Sequence, residues 1–424
     1  MSTSLWQPWS LRDLVTDLAR GATTPAEAMA RSAERIAVTE PGLNAWVVRQ
    51  EPVPGTEVGP LAGVPLGVKD IIDVAGLPTR CGSGLRADAP PAGEDAAIVA
   101  AWRLAGAVPV GKTVTTEFAF FAPGPTANPA ATDHTPGGSS SGSAAAVGAG
   151  QVPLALGSQT AGSVTRPAAY CGVAALVMSR GRFPVDGITG LSPTFDSHGV
   201  YAATASDLAL AWSALSGGPD VARPGIPVRR GPLRALLWSA APLGVLDPAM
   251  RDALDTTRTR LEASGAIVDD FPEEQLIADL AVAHPVVMAY EAARERAEEL
   301  AAADRLSVPL AGLLRTGAET SRSDYEAALG LIARGRERVA QLLGSYDVVV
   351  GAAAPGPAPR GLGATGDPVL SRPWQALGLP VVTVPGLRDA AGMPLGIQVV
   401  GHGLREDELL ASACTVEQSL VSWS

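Results

Sequence analysis

Residues 135–157 read TPGGSSSGSAAAVGAGQVPLALG. The first half has the composition of a flexible Gly/Ser tether. A tether, however, is flanked by polar, low-complexity sequence. This run passes directly into AAAVGAG, a helical pattern of small residues, and QVPLALG, a buried strand pattern. Its glycines are therefore read as positions of close backbone packing, and the stretch predicts a helix–strand unit inside an α/β domain.

The neighbouring segments extend that reading. Upstream, GVPLGVKDIIDVAG (63–76) is an apolar, β-rich run ending in turn residues, which places Lys69 at the end of a strand. A helix is predicted from about Asp95 to Ala105, followed by AVPVGKTVTTEFAF, strand-like at its start and extended through VTTEF. Nearer the start, LRDLVTDLARG and TTPAEAMARSAERIA are amphipathic helices, the second with Thr24 as N-cap, Pro25 in the first turn and Glu27 closing a capping box. Downstream, LRALLW, IVDDF, DVVVG, VVTV and LGIQVV read as strands. DPAMRDALDTTRTRLEASGA and EDELLASACTVEQSL read as helices, and helices dominate from about 272 to 343. Strands interleaved with helices predict an α/β sheet covered on both faces. No composition break divides residues 1–424, so a single domain is expected, with 351–370 as a long loop of functional character.

Composition narrows the function. Hydrophobic residues make up 46% and charged residues 18%, enough to build a large core and to exclude disorder. A net charge of −11 with no basic cluster excludes the footprint of a nucleic-acid binder. Cys81, Cys171 and Cys414 are too few and too scattered for a disulfide framework or a metal site. No apolar stretch of about 20 residues is seen, and the start MSTSLWQPWSLRDL lacks a targeting pattern; a soluble, cytoplasmic protein that does not act at a membrane is expected. Of the 32 basic residues 30 are arginine, leaving Lys69 and Lys112 as the only lysines. Unlike a guanidinium, a buried ammonium can be pushed to its neutral form, so each lysine is a candidate for chemistry that arginine cannot do.

Three chemistries can be weighed on these residues. GAVPVGKT (106–113) matches the phosphate loop GxxxxGK[ST] formally, but a helix precedes it and extended chain follows, the reverse of what phosphate cradling needs. A Ser-His-Asp triad lacks a GxSxG elbow, although His134 lies five residues before Ser139. The third option is a serine activated without histidine. PGGSSSGS (136–143) and GSQTAGSVTRP (157–167) both set serine among small residues, where backbone N–H groups can approach a ligand, and Lys69 could serve as a buried neutral base.

The ordered set GVPLGVKD, GPTANP, TPGGSSSGSAAAVGAGQVPLALG, SQTAGSVTRPAAYCGV, GLPVVTVPG and MPLGIQVVG resembles the amidase signature family of serine hydrolases, in wording closest to malonamidase-type small amidases. The resemblance implies the amidase-signature fold, with a central mixed β-sheet covered by helices on both faces. It implies a Ser-Ser-Lys triad of Lys69, Ser139 and Ser163, with Ser163 as nucleophile, Ser139 relaying its proton to Lys69, and a cis Gly138–Ser139 bond. It also implies an oxyanion hole from the backbone N–H groups of Thr160, Ala161, Gly162 and Ser163, with Ala161 standing where the family has glycine. Arg166, three residues after Ser163, is implied to hold a substrate carboxylate through its guanidinium fork; its scaffold alternative is pairing with a protein carboxylate. Ser140, Ser141 and Ser143 are read as capping or supporting hydrogen-bond residues, Cys171 as a small buried hydrophobe, and Asp70 and Asp73 as turn residues or as groups that orient Lys69. The implied activity is hydrolysis of a small amide, with no metal, no cofactor and no nucleic acid, and a homodimer by analogy. The alternatives are a carbamate or urea-type hydrolase, and the amidase component of a tRNA-dependent amidotransferase. The pocket walls are expected from residues 272–343 and the loop 351–370.

Overall fold

The computed structural model describes residues 4–50, 58–223 and 231–421. Its strands are β1 (Trp46–Arg49), β2 (Pro65–Lys69), β3 (Val108–Thr113), β4 (Leu154–Gln159), β5 (Ala174–Val177), β6 (Ser197–Ala202), β7 (Arg234–Leu237), β8 (Ile267–Asp270), β9 (Val348–Ala352), β10 (Val381–Arg388) and β11 (Pro394–Val400). Among the described residues they form one mixed, eleven-stranded sheet in the order β1-β3-β2-β4-β6-β5-β10-β11-β9-β7-β8. Every residue of β2, β3 and β4 is buried, which explains why these strands read as continuous apolar runs rather than alternating ones. β2 pairs in parallel with both β3 and β4. The carboxyl ends of the three strands therefore open at one edge, the place where α/β sheets usually bind ligands.

The helices pack against this sheet. α1 (Leu11–Arg20) and α2 (Pro25–Leu43) lie at the amino end, and α2 has the expected capping box: the Glu27 amide donates to Thr24 Oγ1 at 3.2 Å, and the Thr24 amide to Glu27 Oε2 at 2.8 Å. α3 (Ala97–Leu104) matches its predicted span to within two residues, and α4 (Ser141–Gly148) is the helix of the opening stretch. All eight residues of α4 are buried. A Cβ at Gly142 would lie 2.2 Å from the Ala45 carbonyl oxygen and 2.4 Å from the Val114 nitrogen, so only glycine lets α4 seat on the end of β3. The run is a packing surface and not a tether.

Three departures from the sequence reading stand out. Residues 114–116 leave the strand, and a 3₁₀ turn follows at Glu117–Ala119, where extended chain was expected. Between β4 and β7 the periodicity predicts no element, yet the fold has α5 (Thr165–Cys171), β5, β6 and α6 (Ala205–Ser216). α5 is only seven residues long, carries Pro167 and is buried throughout, so it has no polar face for a period-3.6 signal to reveal. Beyond α7 (Pro248–Ala263), helix α8 (Glu274–Glu295) is long and apolar enough to cross a membrane, contrary to the expectation that no such stretch exists; Asp279 and Glu291 interrupt it in the sequence. In the fold, 67% of its most apolar window is buried inside the protein.

Candidate active site

Lys69 ends β2 with no exposed surface. Its Nζ donates to Ser139 Oγ at 2.6 Å, to Ser158 Oγ at 2.9 Å and to the Ser158 carbonyl at 3.4 Å. All three partners are neutral oxygens, and among the described residues no carboxylate pairs with it. Burial therefore dominates and pulls the ammonium down to about 7, with the charge of Asp196 acting in the opposite direction. Lys69 is poised to exchange a proton near neutrality.

Ser139 follows the cis Gly138–Ser139 bond, immediately before α4. The next residues hold this corner. The Ser140 amide donates to the Ser163 carbonyl at 3.3 Å and Ser140 Oγ to the Ser158 carbonyl at 3.3 Å, while Ser143 Oγ donates to the Leu156 carbonyl at 2.8 Å and shares a 2.7 Å hydrogen bond with Thr113 Oγ1. Ser141 Oγ reaches the Val114 carbonyl at 3.4 Å. The three serines join α4 to the sheet; Ser140, at the N-cap position, makes no side-chain cap bond.

Residues 160–164 form the turn between β4 and α5. Gln159 Oε1 accepts from the amides of Val164 at 2.8 Å and Thr165 at 3.0 Å, closing the turn from within. Thr160 Oγ1 donates to Asp196 Oδ1 at 2.5 Å, and Asp196 Oδ2 accepts from the Leu191 and Ser192 amides at 2.8 and 2.9 Å. Burial lifts the Asp196 carboxyl to about 6 against these hydrogen bonds. With the turn fixed in this way, the amides of Ala161, Gly162 and Ser163 donate to no acceptor among the described residues. Ala161 is not among the residues of positive φ, so alanine sits here without strain.

Arg166 lies in the first turn of α5 and is 3% exposed. Its Nε donates to the Thr365 carbonyl and its Nη2 to the Gly138 carbonyl, both at 2.6 Å, and its guanidinium carbon lies 5.9 Å from the centre of the Phe121 ring. Nη1 is buried with no partner. No protein carboxylate pairs with Arg166 among the described residues; two backbone carbonyls hold it. Burial lowers the guanidinium to about 10, still charged at neutral pH.

Ser139, Thr160, Ala161, Gly162, Ser163 and Arg166 line a single narrow cleft, with Lys69 behind Ser139. Phe120, Phe121, Leu191 and Met288 supply its apolar wall, and Pro368 its far side. Helix α8 and the loop after β9 each contribute one lining residue, whereas Ala119, Phe120, Phe121 and Leu191 come from outside the two regions expected to wall the pocket. A larger groove elsewhere, lined by Trp6, Leu387 and Val421, holds none of these serines, so chemistry and not size locates the site. Asp70 pairs with Lys112 and Asp73 accepts from Thr79 Oγ1 at 2.6 Å, so both hold the turn after β2 and neither orients Lys69. His134 bonds Asp133 at 2.8 Å and lies outside the cleft, and GAVPVGKT runs into β3. The sequence reading missed Ser158 and Asp196. Ser158 sits on a buried strand with nothing in its local pattern to mark it, and Asp196 reaches Thr160 from a loop distant in the chain.

The sequence profile of the family described as Amidase matches residues 44–410. The protein AmiA2 of Mycobacterium tuberculosis is 32% identical over an alignment covering 96% of this chain and 92% of its own. A glutamyl-tRNA(Gln) amidotransferase component from a Synechococcus species is 30% identical, covering 95% of each chain. A solved structure described as an amidase superposes with a TM-score of 0.86 at 28% identity, covering 97% of this chain and 100% of the other.

Proposed function

We propose that this chain, which belongs to the amidase family, hydrolyses a small carboxylic amide through an acyl-enzyme on Ser163. Ser163 Oγ attacks the amide carbonyl carbon while its proton passes to Ser139 Oγ and the Ser139 proton passes to neutral Lys69 Nζ. The carbonyl oxygen becomes an oxyanion facing the unpaired amides of the 161–163 turn. When the C–N bond breaks, the proton returns from Lys69 through Ser139 to the leaving nitrogen, and ammonia or an amine departs. Water then attacks the ester carbonyl by the same relay, releasing the acid and restoring Ser163. The observation that carries this reading is the 2.6 Å contact of a carboxylate-free, fully buried Lys69 with Ser139, in a cleft shared with Ser163. No hydrogen bond joins Ser163 Oγ to Ser139 among the described residues, so the relay requires that contact to form in the substrate complex, as catalytic contacts are commonly long in an unliganded site.

The substrate is small and carries an acid group. The cleft has a cavity volume of only about 20 Å³, far below the range of drug-sized ligand sites. A buried guanidinium with Nη1 unpaired supplies one fixed positive donor for a carboxylate. The test is an activity screen across acid, neutral and aryl amides and carbamates, with Ser163→Ala as blank. Activity should vanish in Ser163→Ala, and retained turnover there would overturn the nucleophile. Arg166→Ala should raise KM for acid amides far more than for neutral ones; equal effects would remove the carboxylate reading. The likeness to the amidotransferase component supports a second reading, in which ammonia passes to a partner protein. Full activity of the homogeneous chain would remove it.

A further inference from the structure

His284 lies in α8, 124 residues away from Thr160 in sequence, and is fully buried. Its Nε2 is 2.7 Å from the Thr160 carbonyl oxygen, and its ring stacks on Phe195 at 4.3 Å with 12° between planes. A carbonyl can only accept, so Nε2 carries the proton. Burial, with Arg372 nearby, lowers His284 to about 3, so the ring is neutral and Nδ1 is bare. Nδ1 has no partner among the described residues. Among the described residues the Thr160 carbonyl is therefore the only hydrogen-bond partner of this buried ring.

That contact has a geometric consequence. The Thr160–Ala161 peptide is trans, since the cis bond of the described chain is at Gly138–Ser139. In a trans peptide C=O and N–H point in opposite directions. Fixing the Thr160 carbonyl on His284 therefore turns the Ala161 amide away from that ring, and Ala161 lines the cleft beside Ser163. Thr160 is then held twice, by Asp196 through its side chain and by His284 through its carbonyl. Two turns further along α8, Glu291 accepts from the Thr194 amide at 3.0 Å and from Ser192 Oγ at 2.5 Å, both just before Asp196 in the same loop.

We propose that His284 is a positioning residue for the oxyanion site, holding the Thr160–Ala161 peptide so that the Ala161 amide stays presented to the developing oxyanion. This rests on the reading of Ser163 as nucleophile. The test compares His284→Leu, which removes the donor, with His284→Gln, whose amide nitrogen can take the Nε2 position. His284→Asn serves as a control that is polar but too short to reach the carbonyl. With the best amide from the screen, Leu and Asn should lower kcat about 10–10²-fold, less than outright loss of an oxyanion donor, with KM within about twofold. Gln should recover most of the loss. Thermal unfolding separates this from a packing defect: if Leu does not fold, Asn against Gln decides. The proposal is overturned if the donor-less variants keep wild-type kcat, if the loss lies in KM alone, or if folded Gln is no better than Asn. Turnover by Ser163→Ala would instead remove the underlying reading, whatever the His284 variants do.

Discussion

The two lysines of this chain sit one strand apart, Lys69 on β2 and Lys112 on β3, and neither side chain has exposed surface. Lys69 Nζ meets three neutral oxygens from Ser139 and Ser158. Lys112 Nζ meets Asp70 Oδ1 at 3.1 Å, Thr79 Oγ1 at 2.8 Å and the Pro78 carbonyl at 3.4 Å. Burial pulls both ammonium groups down, but only Lys112 has a carboxylate in contact to hold its charge. The pair also ties β3 to the residue that follows Lys69, and Asp70 accepts from the Arg80 amide at 3.2 Å to close the turn. Burial thus yields a proton acceptor in one place and an ion-pair strut in the other, because the neighbours differ.

The largest test of this contrast is removal of the base. Lys69→Arg should lose about 10²–10⁴-fold in kcat with the fold intact, since a guanidinium cannot act as a neutral base; steady-state kinetics with near-normal turnover would refute the lysine role. Next comes the strut. Lys112→Met leaves Asp70 buried and unpaired and should destabilise by about 3–5 kcal/mol in denaturant unfolding. Adding Asp70→Asn should recover much of that loss. If Lys112→Met instead kept full stability and lost turnover, the division of labour between the lysines would be wrong. The smallest effect is in the pH profile. Only unprotonated Lys69 accepts a proton, so kcat/KM should fall as pH drops through about 7 and level off above it. The Asp196 charge favours the ammonium, so Asp196→Asn should move that limb to lower pH. An unmoved limb, or one moving upward, would detach Asp196 from Lys69.

Much of the frame was legible because its signals are local. Thr24, Pro25 and Glu27 specify a helix start within one turn, and GVPLGVK and VPLALG are apolar over the length of a strand. The run PGGSSSGS and the later QTAGSVTR were recognisable as motifs, and all six cleft residues chosen from them line one cleft. What lay hidden depends on chain segments far apart. α5, β5 and β6 are buried on all sides and show no polar face for a period to reveal. Asp196 and His284 meet Thr160 only because the loop before β6 and helix α8 converge on the turn after β4.

By itself the sequence determined which groups could act: two lysines in an arginine-rich chain, and serines set among residues small enough for backbone to come close. These are properties of residue type and local spacing. Only the tertiary structure decided which lysine can be neutral and which guanidinium and amides are left unpaired. Protonation and hydrogen-bond satisfaction depend on desolvation and on charges within a few ångströms, and those neighbours arrive from distant parts of the chain.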